Sequence, residues 1–187
     1  MVKIKDLMEM SPQYDKDFEI SSDYLNEKIY NNIVTYNKLV KRVSDNIYTV
    51  PIGKIDVIYF IADNVNNELK VLAGVYGQIE THDGKKVFVT AATKKYDAKF
   101  AQASLKLYSW ISQNTGISYL MSDGIHSTAS KVNWQNWMSS PSKYGISEIY
   151  LYDIAKKQRI STNNLDAYWC PDLKCRDYRV IVKFNGS

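Results

Sequence analysis

The apolar positions change period along the chain, which predicts a run of strands and then two helices set between further strands. Leu25, Ile29, Ile33, Tyr36, Val40 and Val43 fall at steps of three, four and seven. That spacing fits one amphipathic helix starting at Ser21-Ser22-Asp23, or a helix that turns into a strand near Ile33-Val34-Thr35. Residues 1–20 are mixed, are broken by Pro12 and read as an arm. Tyr48-Thr49-Val50 predicts a short strand before Pro51 and Gly53. Residues 55–62 are rich in β-branched and aromatic side chains, the content of a buried strand. After a polar turn at residues 63–67, residues 69–80 predict a second strand. Its Gly74 and Gly77 point to a bulge or a close backbone approach. Thr81-His82-Asp83-Gly84 carries an Asp-Gly hairpin signal, and residues 86–93 return as the third strand of an antiparallel meander.

The period then becomes helical. Phe100, Ala103, Leu107, Trp110 and Ile111 share one face, which ends at the C-cap signal Asn114-Thr115-Gly116. Residues 117–121 predict a short apolar strand, followed by the polar turn Ser122-Asp123-Gly124. A second helix is expected from Ser127 or Thr128 to Met138, with Val132, Trp134 and Trp137 as its apolar residues and Pro141 as its stop. Residues 146–153 alternate as a strand, and residues 177–184 predict the last one. Residues 163–176 follow no pattern and predict a long irregular loop, of the kind that often forms an interaction surface. The expected fold is α+β, a mixed and mainly antiparallel sheet flanked by helices, with an N-terminal helical extension. Residues 1–53 are expected to form an arm and helix packed on a core of residues 54–187, one domain overall.

Composition adds exclusions. The net charge of +4 comes from scattered lysines, and Lys94-Lys95 and Lys156-Lys157 are only pairs, expected on a solvated surface. Nucleic-acid binding needs a clustered basic footprint, so it is weakly supported. The two cysteines, Cys170 and Cys175, fit neither a zinc pair nor a CxxC motif and are expected as free thiols. With only two histidines, no metal site is expected. No apolar stretch follows Met1, Lys3, Lys5 and Asp6, so no secretory leader is expected, and no apolar run reaches membrane-spanning length. The 15 tyrosines suit half-buried faces and interfaces, although an AT-rich coding composition accounts for them more simply.

Three antiparallel strands, a helix, a strand, a helix and a closing strand resemble the core of the GNAT (GCN5-related N-acetyltransferase) family over about residues 55–153. The Leu107-Tyr108 pair, Ser122-Asp123, Ser127, and Trp134 or Trp137 are similar to a pattern in GNAT-like proteins encoded by tailed bacteriophages. In that family a basic-x-x-Gly-x-Gly/Ala segment joins the third strand to the helix and turns its N–H groups toward the coenzyme A pyrophosphate. Here the segment reads Tyr96-Asp97-Ala98-Lys99-Phe100-Ala101-Gln102, with Ala98 and Phe100 where the glycines align. No glycine lies between Gly84 and Gly116, and Asp97 has the wrong sign beside a pyrophosphate. Lys94, Lys95, Ala98, Lys99, Phe100 and Ala101 are the candidate cofactor contacts that remain, with the lysines as compensating point charges.

Acyl transfer also needs a general base, and often a Tyr to protonate the leaving thiolate. Glu80, Asp123, His126 and Tyr108 are the candidates. Each has a simpler reading: a solvated strand end for Glu80, a turn for Asp123 and His126, and core for Tyr108. Ser122, Ser127 and Ser130 lack a GxSxG context and make poor nucleophiles. The resemblance without its glycines therefore implies a non-catalytic protein that needs no cofactor. Such a protein would act through protein partners in the host cytoplasm, in a phage virion or in its assembly. The alternative is an N-acyltransferase that uses acetyl-CoA with an atypical pyrophosphate site. A third reading is an inhibitor that binds a host enzyme or nucleic acid. None of the three involves a membrane.

Overall fold

Strand content between residues 41 and 95 dominates the first half, because β-branched and aromatic residues cluster there. The structure is a computed structural model. It describes residues 29, 32–33, 35–65, 68–82, 84–95, 102–123, 128–169 and 177–186. Its strands are β1 (Lys41–Arg42), β2 (Ile47–Pro51), β3 (Asp56–Val65), β4 (Glu68–His82), β5 (Lys85–Lys95), β6 (Tyr119–Ser122), β7 (Ile146–Asp153), β8 (Gln158–Ile160) and β9 (Tyr178–Phe184). Its two long helices are α1 (Ala103–Asn114) and α2 (Thr128–Ser139). The strands form one sheet in the order β1-β2-β3-β4-β5-β6-β9-β7-β8, so the last strand inserts between β6 and β7. The pairs β1–β2, β2–β3, β3–β4, β6–β9, β7–β9 and β7–β8 are antiparallel. The class is α+β, with a mainly antiparallel sheet and helices. No described helix is long and apolar enough to cross a membrane.

The described residues belong to two compact units. The first holds residues up to Ile79 together with Thr90–Tyr108. Its core gathers Ile29 and Ile33 with Val50, Ile58, Phe60 and Val71. Phe60 is fully buried and stacks on Tyr48 with ring centroids 5.4 Å apart. Truncating such a ring to Ala costs about 3–5 kcal/mol. Gly74 sits opposite Phe60, and a Cβ there would come within 3.2 Å of the Ile29 side chain. What closes on that glycine is a side chain of the N-terminal segment rather than a backbone, and the irregularity of the ladder falls beside it, where the β3–β4 register shifts between Ile61 and Ala62. Asn32, Ile33 and Thr35 are helical, a 3-10 turn follows at Asn37–Leu39, and the chain then enters β1. Neither alternative holds as expected: the chain is still helical at Ile33 and Thr35, where a strand was the alternative, and no single helix runs to Val43, because the 3-10 turn leads into the short strand Lys41–Arg42. The proposed start at Ser21-Ser22-Asp23 lies outside the described residues.

The second unit holds Glu80–Val89 and Ser109–Ser187. Trp134 and Trp137 on α2 are buried and pack edge to face at 4.9 Å, and Trp137 reaches Phe184 of β9 at 6.4 Å. Val132, named with them as an apolar residue of this helix, is exposed, because it lies two and five positions from the tryptophans and so on another helical face. Residues 163–169 have no regular structure but are docked on α2. The Gln135 side chain donates to the Asn163 carbonyl and accepts the Leu165 N–H at 2.9 Å, and Leu165 is fully buried. Lys131 adds an ion pair to Asp166, which holds that carboxyl below the usual carboxylate range. Cys170 and Cys175 lie outside the described residues.

Candidate binding cleft

The pleat of β6, β7 and β9 turns every second residue of each strand to one face of the sheet, where they border a cleft in the second unit. Tyr150 pairs across with Ile181, and Ile181 pairs with Met121, so these three share one row. Met121, Ile181 and Val87 are buried and form an apolar floor. Tyr152 stands opposite Arg179 on one side and Arg159 on the other, a row of two guanidiniums flanking a phenol. The cleft has a volume of about 390 Å³, and Tyr119, Tyr150 and Tyr152 border it together with Lys85, Lys157 and Arg159.

The cations are held by the rings. The Arg159 guanidinium lies 3.8 Å from the centroid of Tyr150, and Lys85 Nζ lies 5.0 Å from that of Tyr119. Lys85 also donates to the Tyr119 hydroxyl at 3.3 Å. Arg159 is paired with Glu148, whose hydrogen bond raises the Arg159 pKa above its usual value. Burial pushes the Tyr150 phenol up; Glu148 and Tyr119 add to the rise, and Arg159 opposes it. Partial burial lowers the Arg179 pKa against the opposing charges of Asp123, Asp177 and Glu80.

At the hairpin end of the cleft, His82 Nε2 and Glu80 Oε2 lie 2.8 Å apart, each side chain about two-fifths exposed or a little less. His82 lines the cleft and Glu80 stands behind it. Such a pair can orient an imidazole and move a proton. Glu80 is thus engaged with a histidine two residues on. Asp123 lies in the field of Arg179, which also feels Glu80, so the structure brings these two candidates around one guanidinium. His126 lies outside the described residues. Tyr108 belongs to the first unit, is buried and shares a hydrogen bond with Thr93 Oγ1.

Of the candidate cofactor lysines, Lys95 is exposed but Lys94 is 1% exposed. The solvated surface expected for the Lys94-Lys95 pair holds only for Lys95. The reason is that β5 runs two residues past Thr93, and its alternation turns Lys94 inward. Ala98, Lys99, Phe100 and Ala101 lie outside the described residues. Among the described residues no group of His, Cys, Asp and Glu could hold a metal ion.

Sequence reasoning missed His82, Tyr150, Tyr152, Arg159 and Arg179. The signal for the tyrosines was present: Leu151 is buried, so its neighbours at 150 and 152 must face the other way. Arg159 joins them only through the β8 pairing, which three residues of local sequence do not encode.

No protein-family model matches the chain, and no curated protein matches it. Among solved structures it is similar to Tetrahymena GCN5, at 13% identity over 98% of this chain and 89% of that one, with a TM-score of 0.42. It is also similar to Arabidopsis thaliana NAA60 in complex with a bisubstrate analogue, at 12% identity over 100% and 97% of the two chains, with a TM-score of 0.43. The fold class stands on the chain's own strand order and register.

Proposed function

We propose that this chain is a GNAT-like protein that works by binding a partner rather than by acyl transfer. The observation that carries this reading is Lys94. A cradle without glycines needs side-chain cations to hold a pyrophosphate. Lys94 is almost wholly buried and does not present its ammonium to a phosphate in solution, which leaves Lys95 as the exposed cation among the described candidates. The partner is a protein surface, and the resemblance to phage-encoded relatives suggests a virion or its assembly as the setting. Isothermal titration with acetyl-CoA tests the reading. No binding beyond that shown by AMP alone is expected, and stoichiometric binding that AMP does not compete away would overturn it.

A second reading, an N-acyltransferase with an atypical pyrophosphate site, is favoured by one observation, the 2.8 Å contact of Glu80 with His82. On that reading His82 takes the proton of an amine and Glu80 stabilises the imidazolium. It requires turnover of acetyl-CoA with an amine, lowered at least about a hundredfold by His82→Gln. Undiminished turnover in that variant would remove it.

A further inference from the structure

We infer that the cleft over β6, β7 and β9 is a binding site for a small organic anion that carries a planar ring. Three observations converge on that class. The first is charge. Among the described residues Lys85, Lys157 and Arg159 border the cleft and no carboxylate does; Glu80 and Glu148 sit behind the lining, on His82 and Arg159. An anion is therefore complementary and a cation is not. Glu148 also fixes the Arg159 guanidinium in place, which lowers the entropy lost when its remaining N–H groups engage a phosphate or carboxylate.

The second is shape and polarity. The floor is the buried trio Val87, Met121 and Ile181, and the walls are half-buried tyrosines. A bare inorganic anion gains nothing from such a floor, whereas a flat ring gains apolar contact and aromatic stacking. The third is size. A volume of about 390 Å³ lies within the usual range for small-molecule sites, roughly 300–1,000 Å³. A nucleoside monophosphate has the required parts, a ring for the floor and a phosphate for the cationic rim. The assignment is independent of whether the chain binds acyl-CoA.

Titration calorimetry of the full chain with AMP, adenosine and inorganic phosphate tests the inference. AMP is expected to bind saturably, at least about tenfold tighter than either adenosine or phosphate alone. Lys157→Gln, in an exposed turn, is expected to weaken AMP about tenfold without moving the melting temperature. Tyr152→Leu is expected to weaken AMP and leave phosphate unchanged. Absence of saturable AMP binding overturns the inference. Phosphate that binds as tightly as AMP overturns it as well, because the ring then contributes nothing. AMP binding that survives both Lys157→Gln and Arg159→Gln but is lost in Lys95→Ala places the nucleotide elsewhere, with the same consequence. Acetyl-CoA binding that persists in Lys157→Gln would end the non-catalytic reading and leave the cleft standing.

Discussion

The buried Ser122 hydroxyl accepts the backbone N–H of Val180 at 2.9 Å. The β6–β9 ladder pairs Leu120 with Val182 and Met121 with Ile181, and a side chain then continues it one residue further. Ser122→Ala leaves that buried donor without its acceptor. The expected cost is about 1–3 kcal/mol, the range for an orphaned buried polar group. Urea denaturation should show a lower midpoint at an unchanged slope. An unchanged midpoint would mean that water or a shifted backbone replaces the hydroxyl.

The segment after β8 is held by one glutamine. Gln135 serves both the Asn163 carbonyl and the Leu165 N–H, and Lys131 pairs with Asp166 beside it. Gln135→Ala should release this stretch while the sheet stays folded. Limited proteolysis should then cut within residues 161–169 at least about tenfold faster, because cleavage follows the population of the locally opened form. Equal cutting rates in both proteins would assign the docking to buried Leu165 and the Lys131–Asp166 pair.

The strands with their own signal were legible. Residues 146–153 were expected as a strand and form β7, with Ile146, Leu151 and Asp153 buried and the residues from Glu148 to Tyr150 half-buried. Two other strands had no signal to read. Lys41 and Arg42 of β1 are both exposed, so no periodicity marks them. Gln158–Ile160 is polar and forms β8 because the turn at residues 154–157, with Lys157 at a φ of 52°, folds it back onto β7. The insertion of β9 between β6 and β7 is a long-range pairing that local pattern cannot carry. The site was half legible for the same reason. Glu80 was singled out, but Thr81 and His82 were read as turn. β4 in fact runs through His82, and period two then places His82 beside Glu80.

Alkaline pH should weaken the fold through two phenols. Burial raises the pKa of Tyr59, and burial is also the largest cause of the rise at Tyr150. In the unfolded chain both ionise near the usual value of about 10. Above that pH the folded state binds more protons than the unfolded state, so stability falls as pH rises. The contribution is complete below about pH 10 and is lost as pH climbs through the raised folded values. Phenolate absorbance should show late-titrating tyrosines, reduced in number by Tyr59→Phe. Denaturation midpoints that are equal at about pH 9 and about pH 11 would contradict this.

Gln102 stands immediately before α1 with a φ of 61°, a left-handed conformation, and its carbonyl accepts the Lys106 N–H at 3.0 Å. This is the last residue of the segment in which the family resemblance calls for glycines. A residue with a Cβ pays about 1–2 kcal/mol there, and glycine pays about 0.5–1 kcal/mol in lost chain entropy. The first term is larger. Gln102→Gly should therefore raise stability by about 0.5–1 kcal/mol, helped by glycine's acceptance at helix N-caps. Gln102→Val should lower it by about 1–2 kcal/mol, because β-branching adds to the same clash. Thermal denaturation of the two variants beside the parent chain decides the matter. Opposite shifts of the two melting temperatures would establish that α1 begins from a left-handed residue, and a loss of stability in both would show that the Gln102 side chain contributes more than its backbone costs.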